Sequence, residues 1–525
     1  MLFGRGRICI VIAEKTAAAA LKALRRTLNG SRKDVDSRKV IGSRTIELRL
    51  DWLSSPIEID RLLTRLRVDR KKACLIATLR RRGAGGKYAG GLREQMALLR
   101  RAAEAGCVWC DVEVESAELL DADALNELRS AGARVMISFH DFRTTPRNLN
   151  AVVRRLERCG GDAVKIATQS RTLSDSVKVL AIARHRRDVV AVPMGETGMP
   201  ARVLALRAGS ALAYAAADQV TAPGQLSAGE MRGMYRAEKL DGRTRVYGVI
   251  GNPIAHSLSP LMHNSAFAAR RVNSVLLPFL VTDLKDFLAA CPSFGVKGFA
   301  ITLPHKQAII RHLDGCDPLA ARIGAVNTVV VRGDGGLYGY NTDYVGVLRA
   351  LSSRMELQGS RVLLLGAGGA ARAAAFALVE AGAVVCICAR REAKAKALAR
   401  AAGCEAIARS DVKDEFFDAI VNSTPVGLQP GDAAPLRAEE LNCRVVMDMI
   451  YRPIRTALLR LAERRGIETV SGAEMFIAQG IAQWEIWMGE RAPADVMRRV
   501  TLDALRPKKS ARPDSGRLGS TERVG

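Results

Sequence analysis

The chain has 525 residues, of which 48% are hydrophobic and 26% charged, so it exceeds one ordinary core and is expected to form about two or three globular domains. Its net charge of +26 comes from 80 Lys+Arg against 54 Asp+Glu. The arginines are dispersed, aromatics make up only 5%, and no finger, RNP or P-loop pattern focuses the charge, which argues against nucleic acid as a partner.

The first stretch, MLFGRGRICIVIAEK, has too brief an apolar run for a signal peptide, and no later run approaches a membrane span. The expectation is a cytoplasmic protein with no membrane partner. Short apolar runs then alternate with helical patterns: RICIVIA (7–13), TIELRL (45–50), CLIATLR (74–80), WCDVEV (109–114), RVMISFH (134–140), AVKIAT (163–168), VVAVPM (189–194) and ALAYAAAD (211–218). Between them lie amphipathic segments such as LREQMALLRRAAEAG, closed by glycine. Eight such repeats over residues 1–231 predict an α/β fold, a (β/α)8 TIM barrel, whose chemistry belongs at the C-terminal ends of its strands. The eleven cysteines are scattered, and the lone CVWC (107–110) lacks the second pair of a zinc site. They read as reduced, mostly buried thiols, and no metal is expected.

Lys165, in the middle of AVKIA, stands out because an ammonium is costly to desolvate in a buried strand. A lysine can snorkel to water or pair with a carboxylate. Here, however, the strand ends also gather Glu47, Arg49, Arg80, Asp111, Glu113 and His140, a set hard to assign to one structural ion pair.

In chain order, ELRLD, TLR…GG, DVE, SFHDF, VKIAT, PMGETGMPARV and TAPGQLS resemble a type I 3-dehydroquinate dehydratase. The resemblance implies that Lys165 forms an iminium with the substrate ketone and that His140 moves the protons. Attack needs the neutral amine, which burial and nearby arginines favour. It also implies that Glu47, Arg49, Arg80, Asp111, Arg202, Thr221 and Gln225 bind substrate, with Met194 beside the imine and Arg202 as the carboxylate clamp. Thr221 replaces a common serine. GAGGKY places Ala84 where the family usually has a glutamate that orients the histidine; Asp111 or Asp141 is a candidate substitute.

After GEMRGMYRAEKLDGRTR (229–245), with a linker expected over 232–245, apolar patterning restarts at VYGVIG. GSRVLLLGAGGAARAAAFAL (359–378) runs from strand through a glycine turn to helix, a dinucleotide signal carried by Gly366, Ala367, Gly368, Gly369 and Ala370. The next strand, VVCICARREAKAKAL, ends at Arg390 and Arg391. Two guanidiniums there suit a 2′-phosphate, so NADP(H) is the expected cofactor.

GNPIAHSLSPLMHN, ITLPHK, GAVNTV, GYNTDYVG, VNSTPVG, DMIYRP and GAEMFIAQG, again in order, resemble shikimate dehydrogenase. This implies that Ser257, Ser259, Thr302, Asn327, Tyr451 and Gln479 surround the substrate, and that Lys306 and Asp343 are the catalytic pair. Thr424, Met449 and Gly472 would line the nicotinamide. Ala389 stands where asparagine is common, and Gly480 where alanine is. The expected organisation is a substrate-binding part (246–345 and 475–505) around a Rossmann part (346–474), with the active site in the cleft between them and a disordered tail (506–525).

The product of the first implied reaction is the substrate of the second, which predicts one bifunctional enzyme with dehydroquinate and dehydroshikimate/shikimate as small-molecule partners. A quinate preference in the second half is a rival reading, against which Ser257 and Ser259 weigh. A sensor without turnover is another, encouraged only by Ala84.

Overall fold

Short runs of Val, Ile, Leu, Cys and Ala, buried on both faces, form eight parallel strands: β1 (Ile8–Ile12), β2 (Thr45–Arg49), β3 (Cys74–Thr78), β4 (Trp109–Glu113), β5 (Arg134–Asp141), β6 (Ala163–Gln169), β7 (Val189–Met194) and β8 (Ala213–Ala216). Each falls on one of the expected runs. The structure is a computed structural model and describes residues 2–3, 6–29, 44–66, 73–217, 223–429 and 431–506; the expected tail beyond Arg506 lies outside them. The strands pair in the order β7-β6-β5-β4-β3-β2-β1-β8. Across the β7/β8 seam there is no ladder among the described residues, but Ser210 bridges it. Its hydroxyl accepts from Ala191 N–H (3.0 Å) and donates to Leu212 C=O (2.7 Å). The result is a nearly closed α/β barrel.

Side chains fill the barrel interior. Cys9, Cys74, Trp109, Met136, Ala163, Val190 and Tyr214 form one cluster with Phe3, whose ring stacks on Trp109 at 4.3 Å. On a strand every second residue faces the same way. Residues two positions beyond these therefore look inward, one layer nearer the strand C-termini.

A second sheet follows, built from β9 (Arg245–Gly251), β10 (Ser274–Leu280), β11 (Val296–Ile301), β12 (Gly315–Cys316), β13 (Thr328–Val331) and β14 (Leu337–Tyr340), in the order β10-β9-β11-β13-β14-β12. β9 pairs in parallel with β10 and β11, while β13 is antiparallel to both neighbours. Barrel and second sheet belong to one unit, Met1–Thr342 with Gly480–Pro493. Residues 232–245, expected as a linker, are packed. Tyr235, Ala237 and Leu240 are buried in a core shared by Leu204 and Leu206 of the barrel with Val246, Phe287 and Phe294 of the next part.

Polar contacts lock the same junction. Asp286, in the first turn of helix Leu284–Phe294, accepts from Leu173 N–H (2.7 Å), Ser174 N–H (3.2 Å) and the Ser174 hydroxyl (2.5 Å), capping helix Leu173–Ala181. At the far end of helix Leu284–Phe294, the Phe294 C=O accepts from Arg207 of the barrel (3.2 Å). The two helices pack side by side.

The other unit, Asp343–Gln479 with Ala494–Arg506 among the described residues, carries an all-parallel sheet. Its strands are β15 (Arg361–Leu365), β16 (Val384–Cys388), β17 (Glu405–Ala406), β18 (Phe417–Asn422), β19 (Cys443–Asp448) and β20 (Glu468–Ser471). The order β17-β16-β15-β18-β19-β20 is that of a dinucleotide-binding fold, with the switch point between β15 and β18. The helix expected over 475–489 spans Gly472–Met488 and divides between the units at Gln479/Gly480. Helix Ala494–Leu505, expected with the substrate-binding part, groups with the dinucleotide unit instead. The physical reason is local: Arg498 forks onto Glu474 (2.6 and 2.7 Å), and Met497 is buried.

Candidate active sites

The alternation of the barrel strands decides which polar side chains meet. Because Thr45, Trp109, Met136 and Ala163 face inward low in the barrel, Glu47, Asp111, Ser138 and Lys165 face inward above them. The Lys165 amine lies 2.9 Å from Asp111 Oδ2 and 3.2 Å from Glu47 Oε1, and 4.4 Å from the centre of the Tyr214 ring. Lys165 is only 4% exposed. Two carboxylates hold it, so besides the expected arginines its neighbours include the acids gathered at the strand ends. Glu47 also accepts from the Thr78 hydroxyl (2.9 Å) and Asp111 from Ser138 (2.5 Å). Burial raises the Asp111 pKa, yet the charges of Lys165 and Arg80 and the Ser138 bond outweigh it, and the net shift is downward.

Arg80 Nη2 stands 3.6 Å from Asp111, and its Nε and Nη2 have no hydrogen-bond partner among the described residues. Arg49 forks onto Asp51 (2.8 Å twice), so its guanidinium is already engaged. Arg202 is buried with Nε donating to Pro193 C=O (2.8 Å), and burial lowers its pKa to about 10. A buried guanidinium whose hydrogen bond among the described residues is to a carbonyl is suited to a carboxylate. Met194 is buried at the end of β7, Gln225 is half-buried, and Thr221 lies outside the described residues.

His140 ends β5. Burial, then the charges of Arg80, Lys165 and Arg49, push its pKa well below the usual 6.5. Its Nδ1 has no hydrogen-bond partner among the described residues. Neither carboxylate suggested as a substitute at Ala84 reaches it. Asp111 is spent on Lys165 and Ser138, while Asp141 turns back to accept from Arg143 N–H (2.8 Å), Thr144 N–H (2.9 Å) and the Thr144 hydroxyl (3.1 Å). The Phe142 ring stacks on the imidazole instead, 5.9 Å between centroids, and lies against Gly85, next to Ala84. Glu113 anchors the same loop by accepting from Arg81 N–H (2.8 Å) and Gln95 (2.7 Å).

In the second sheet of the same unit, the predicted residues sit where strands end. Ser257 Oγ accepts from Ser259 N–H (3.3 Å), and Ser259 opens helix Ser259–Ala269. Thr302 follows β11, and its C=O accepts from His305 N–H (3.1 Å). Half-buried Lys306 has its C=O fixed by Val326 N–H (2.8 Å). Asn327, buried, donates to Thr342 Oγ1 (3.0 Å) and accepts from Thr342 N–H (2.7 Å). Asn264 was not anticipated: it exchanges two hydrogen bonds with Leu276 of β10 (2.8 and 2.9 Å), fixing the serine-bearing helix.

In the dinucleotide unit, Gly366 follows β15 with φ of 115°, and a Cβ there would lie 2.6 Å from Ser423 Oγ. Gly368 caps helix Gly369–Glu380, with open space where a Cβ would project; Ala367 and Ala370 complete the turn. Arg390 and Arg391 are exposed, and neither forms an ion pair among the described residues. Gly472 lets Met449 C=O approach to 2.5 Å of its Cβ position. Asp343 is buried at the start of helix Asp343–Ser352, Tyr451 stacks on Phe476 at 4.6 Å, and Gln479 donates to Phe476 C=O (2.9 Å).

Sequence reasoning missed a buried network beneath Thr424 and Met449. The Thr424 hydroxyl donates to Asn422 Oδ1 (2.7 Å), Asn422 Nδ2 donates to Asp448 Oδ1 (3.0 Å), and Thr456 donates to Asp448 Oδ2 (2.6 Å). Met449 N–H donates to Asn422 C=O (3.0 Å). Burial raises the Asp448 pKa against these bonds.

Residues 20–241 match the family model described as type I 3-dehydroquinase, 249–329 that of the shikimate dehydrogenase substrate binding domain, and 472–502 that of the shikimate 5'-dehydrogenase C-terminal domain. The chain is 35% identical over 483 residues to the bifunctional 3-dehydroquinate dehydratase/shikimate dehydrogenase, chloroplastic, of Arabidopsis thaliana, covering 87% of this chain and 79% of that one. It is 41% identical over 271 residues to the shikimate dehydrogenase (NADP(+)) of Thermococcus kodakarensis, covering 50% of this chain and 98% of the relative. To the protein of the same name from Methanothermobacter thermautotrophicus it is 43% identical over 274 residues, covering 49% and 96% respectively. With a dehydratase barrel and a dehydrogenase pair of sheets on one polypeptide, the chain belongs to the family of bifunctional 3-dehydroquinate dehydratase/shikimate dehydrogenases.

Proposed function

We propose that the chain dehydrates 3-dehydroquinate to 3-dehydroshikimate and then reduces this product to shikimate with NADPH, two consecutive steps toward aromatic amino-acid precursors. The observation that carries the reading is the sealed amine of Lys165 between Asp111 and Glu47, with His140 on the neighbouring strand.

In the first reaction Lys165 gives up a proton and adds to the substrate ketone, and the carbonyl oxygen leaves as water. The resulting iminium draws electrons from the neighbouring carbon. His140, kept neutral by burial and adjacent cations, takes the proton from that carbon and returns one to the departing hydroxyl. Water then hydrolyses the iminium and frees the amine, so that one water is lost overall. Arg202 is assigned to the substrate carboxylate, supported by its buried, carbonyl-held guanidinium. Glu47, Arg49, Arg80, Asp111, Met194 and Gln225 are assigned to the same pocket, with the Arg49 guanidinium oriented by Asp51.

The second reaction uses NADP(H). The cradle at Gly366 and Gly368, the N-terminus of helix Gly369–Glu380 and the exposed guanidiniums of Arg390 and Arg391 fit its phosphates. When bound, the cofactor supplies the hydride. We assign the substrate carboxylate to Ser257 and Ser259, its hydroxyls to Thr302, Asn327, Tyr451 and Gln479, and proton exchange at the reacting oxygen to Lys306 and Asp343. Thr424, Met449 and Gly472 are assigned to the nicotinamide side. A reducing compartment such as the cytoplasm suits eleven cysteines of which none forms a disulfide.

Supplying 3-dehydroquinate and NADPH to the wild-type chain tests this reading. Oxidation of NADPH is expected, and Lys165→Ala is expected to stop it while leaving oxidation on 3-dehydroshikimate intact. Failure of the wild type on both substrates would overturn the assignment.

A further inference from the structure

The exposed surface around the barrel mouth is charged in a way the reaction steps do not use. Five loops follow strands β1, β3, β5, β6 and β7 at their C-terminal ends: residues 13–16, 79–91, 141–148, 170–172 and 195–198. They expose Lys15, Arg82, Lys87, Arg143, Arg147 and Arg171. None of the six is in an ion pair among the described residues. The acids on the same loops are Glu14, Asp141 and Glu196. Asp141 is turned into its own loop by three hydrogen bonds, so its charge faces backbone N–H groups.

Two of the cations are held in place without being neutralised. Lys87 sits 3.4 Å over the ring of Trp52, which joins the loops after β3 and β2. Arg171 donates to Arg143 C=O (2.8 Å), which joins the loops after β6 and β5. Below them stand Arg80 and Arg202, both buried. Positive charge therefore runs from the rim to Arg80 and Arg202 in the barrel interior, where the carboxylates of Glu47 and Asp111 are already paired with Lys165.

We propose that this rim is an electrostatic funnel that captures a small carboxylate anion and guides it to Arg202. The proposal rests on the dehydratase reading above, in which both substrate and product carry a carboxylate. An excess of one sign of charge around a site, here six exposed cations against Glu14 and Glu196, attracts the opposite charge and raises capture by about 10–10³-fold, and salt screens the effect over roughly 10 Å at 0.1 M. The field acts on encounter, so it changes kcat/KM and leaves kcat alone. Dispersed basicity predicts something different, because then any exposed arginine of the barrel contributes equally.

The test compares salt profiles of dehydratase kcat/KM for three full-length proteins. One is wild type, one carries Arg82→Glu, Arg143→Glu and Arg147→Glu on the rim, and one carries Arg25→Glu, Arg65→Glu and Arg187→Glu at the opposite end of the barrel. The wild type should lose about tenfold in kcat/KM between ~20 and ~300 mM salt at constant kcat. The rim variant should start about tenfold lower and stay flat, with wild-type kcat; the opposite-end variant should follow wild type within about twofold. A glutamine version of the rim set, with half the charge change, should fall between the two and stands in if the glutamate set does not fold. A flat wild-type profile, or equal losses in both variants, overturns the funnel alone. A wild type without dehydratase turnover overturns the funnel and the assigned reaction together.

Discussion

The amine of Lys165 lies 2.9 Å from Asp111 Oδ2, and both side chains are sealed from solvent. Asp111 Oδ1 is fixed at the same time by Ser138 (2.5 Å), so the carboxylate bridges β6 to β5 across the barrel interior. Removing one partner of a buried pair leaves the other charge uncompensated. Asp111→Ala is therefore expected to cost about 3–5 kcal/mol in urea denaturation, well above the cost of a surface substitution. A loss below about 1 kcal/mol would mean that Glu47 alone satisfies the amine.

With His140 as the proposed proton carrier, the pH dependence of the first reaction is expected to follow its imidazole. Burial and the neighbouring cations hold its pKa well below 6.5, so the imidazole is neutral above that range and becomes protonated only as pH falls through the depressed value. The acid limb of dehydratase kcat is expected below pH 6.5. Ala84→Glu brings a carboxylate to the turn next to Gly85 and Phe142, favours the imidazolium and should move that limb to higher pH. An unchanged limb in this variant would show that the turn does not act on His140.

Asp286 ties the two catalytic modules by capping helix Leu173–Ala181 from the neighbouring helix. Asp286→Ala should cost about 0.5–2 kcal/mol, the usual value of a lost cap. Because the shared core spans this junction, both activities should be lost at the same lowered temperature in heat-inactivation curves. Loss of dehydratase alone would show that the barrel unfolds independently.

Arg390 and Arg391 bear on the choice of cofactor. A hydrogen bond to a charged group contributes about 1.5–3 kcal/mol, which is roughly 10–150-fold in affinity. The double variant Arg390→Ala/Arg391→Ala is expected to raise the KM for NADPH by at least about tenfold while changing that for NADH little. Equal effects on both cofactors would place the 2′-phosphate elsewhere.

Much of this is legible in the sequence. The period of two in AVKIA, WCDVEV and RVMISFH places Lys165, Asp111 and His140 on strands with their polar ends together, and the glycine turn after LLLG marks the dinucleotide cradle. Other features had no local signature. Thr78 and Ser138 look like ordinary strand residues until the barrel brings them onto Glu47 and Asp111. Tyr214 reads as an apolar filler, yet its ring faces the amine. Asn422, Asp448 and Thr456 come from three separate segments, and only the parallel order of β18 and β19 joins them. The charged stretch 232–245 resembles a tether because its three buried apolar anchors, Tyr235, Ala237 and Leu240, follow no helical or strand period.

Covalent capture at the barrel amine is the point on which the mechanism turns, and reduction with borohydride in the presence of 3-dehydroquinate measures it directly. Peptide mass spectrometry should find the reduced adduct on Lys165 and nowhere else, with dehydratase activity lost and dehydrogenase activity retained. An adduct on another lysine, or full dehydratase turnover with no adduct on any residue, would contradict the mechanism.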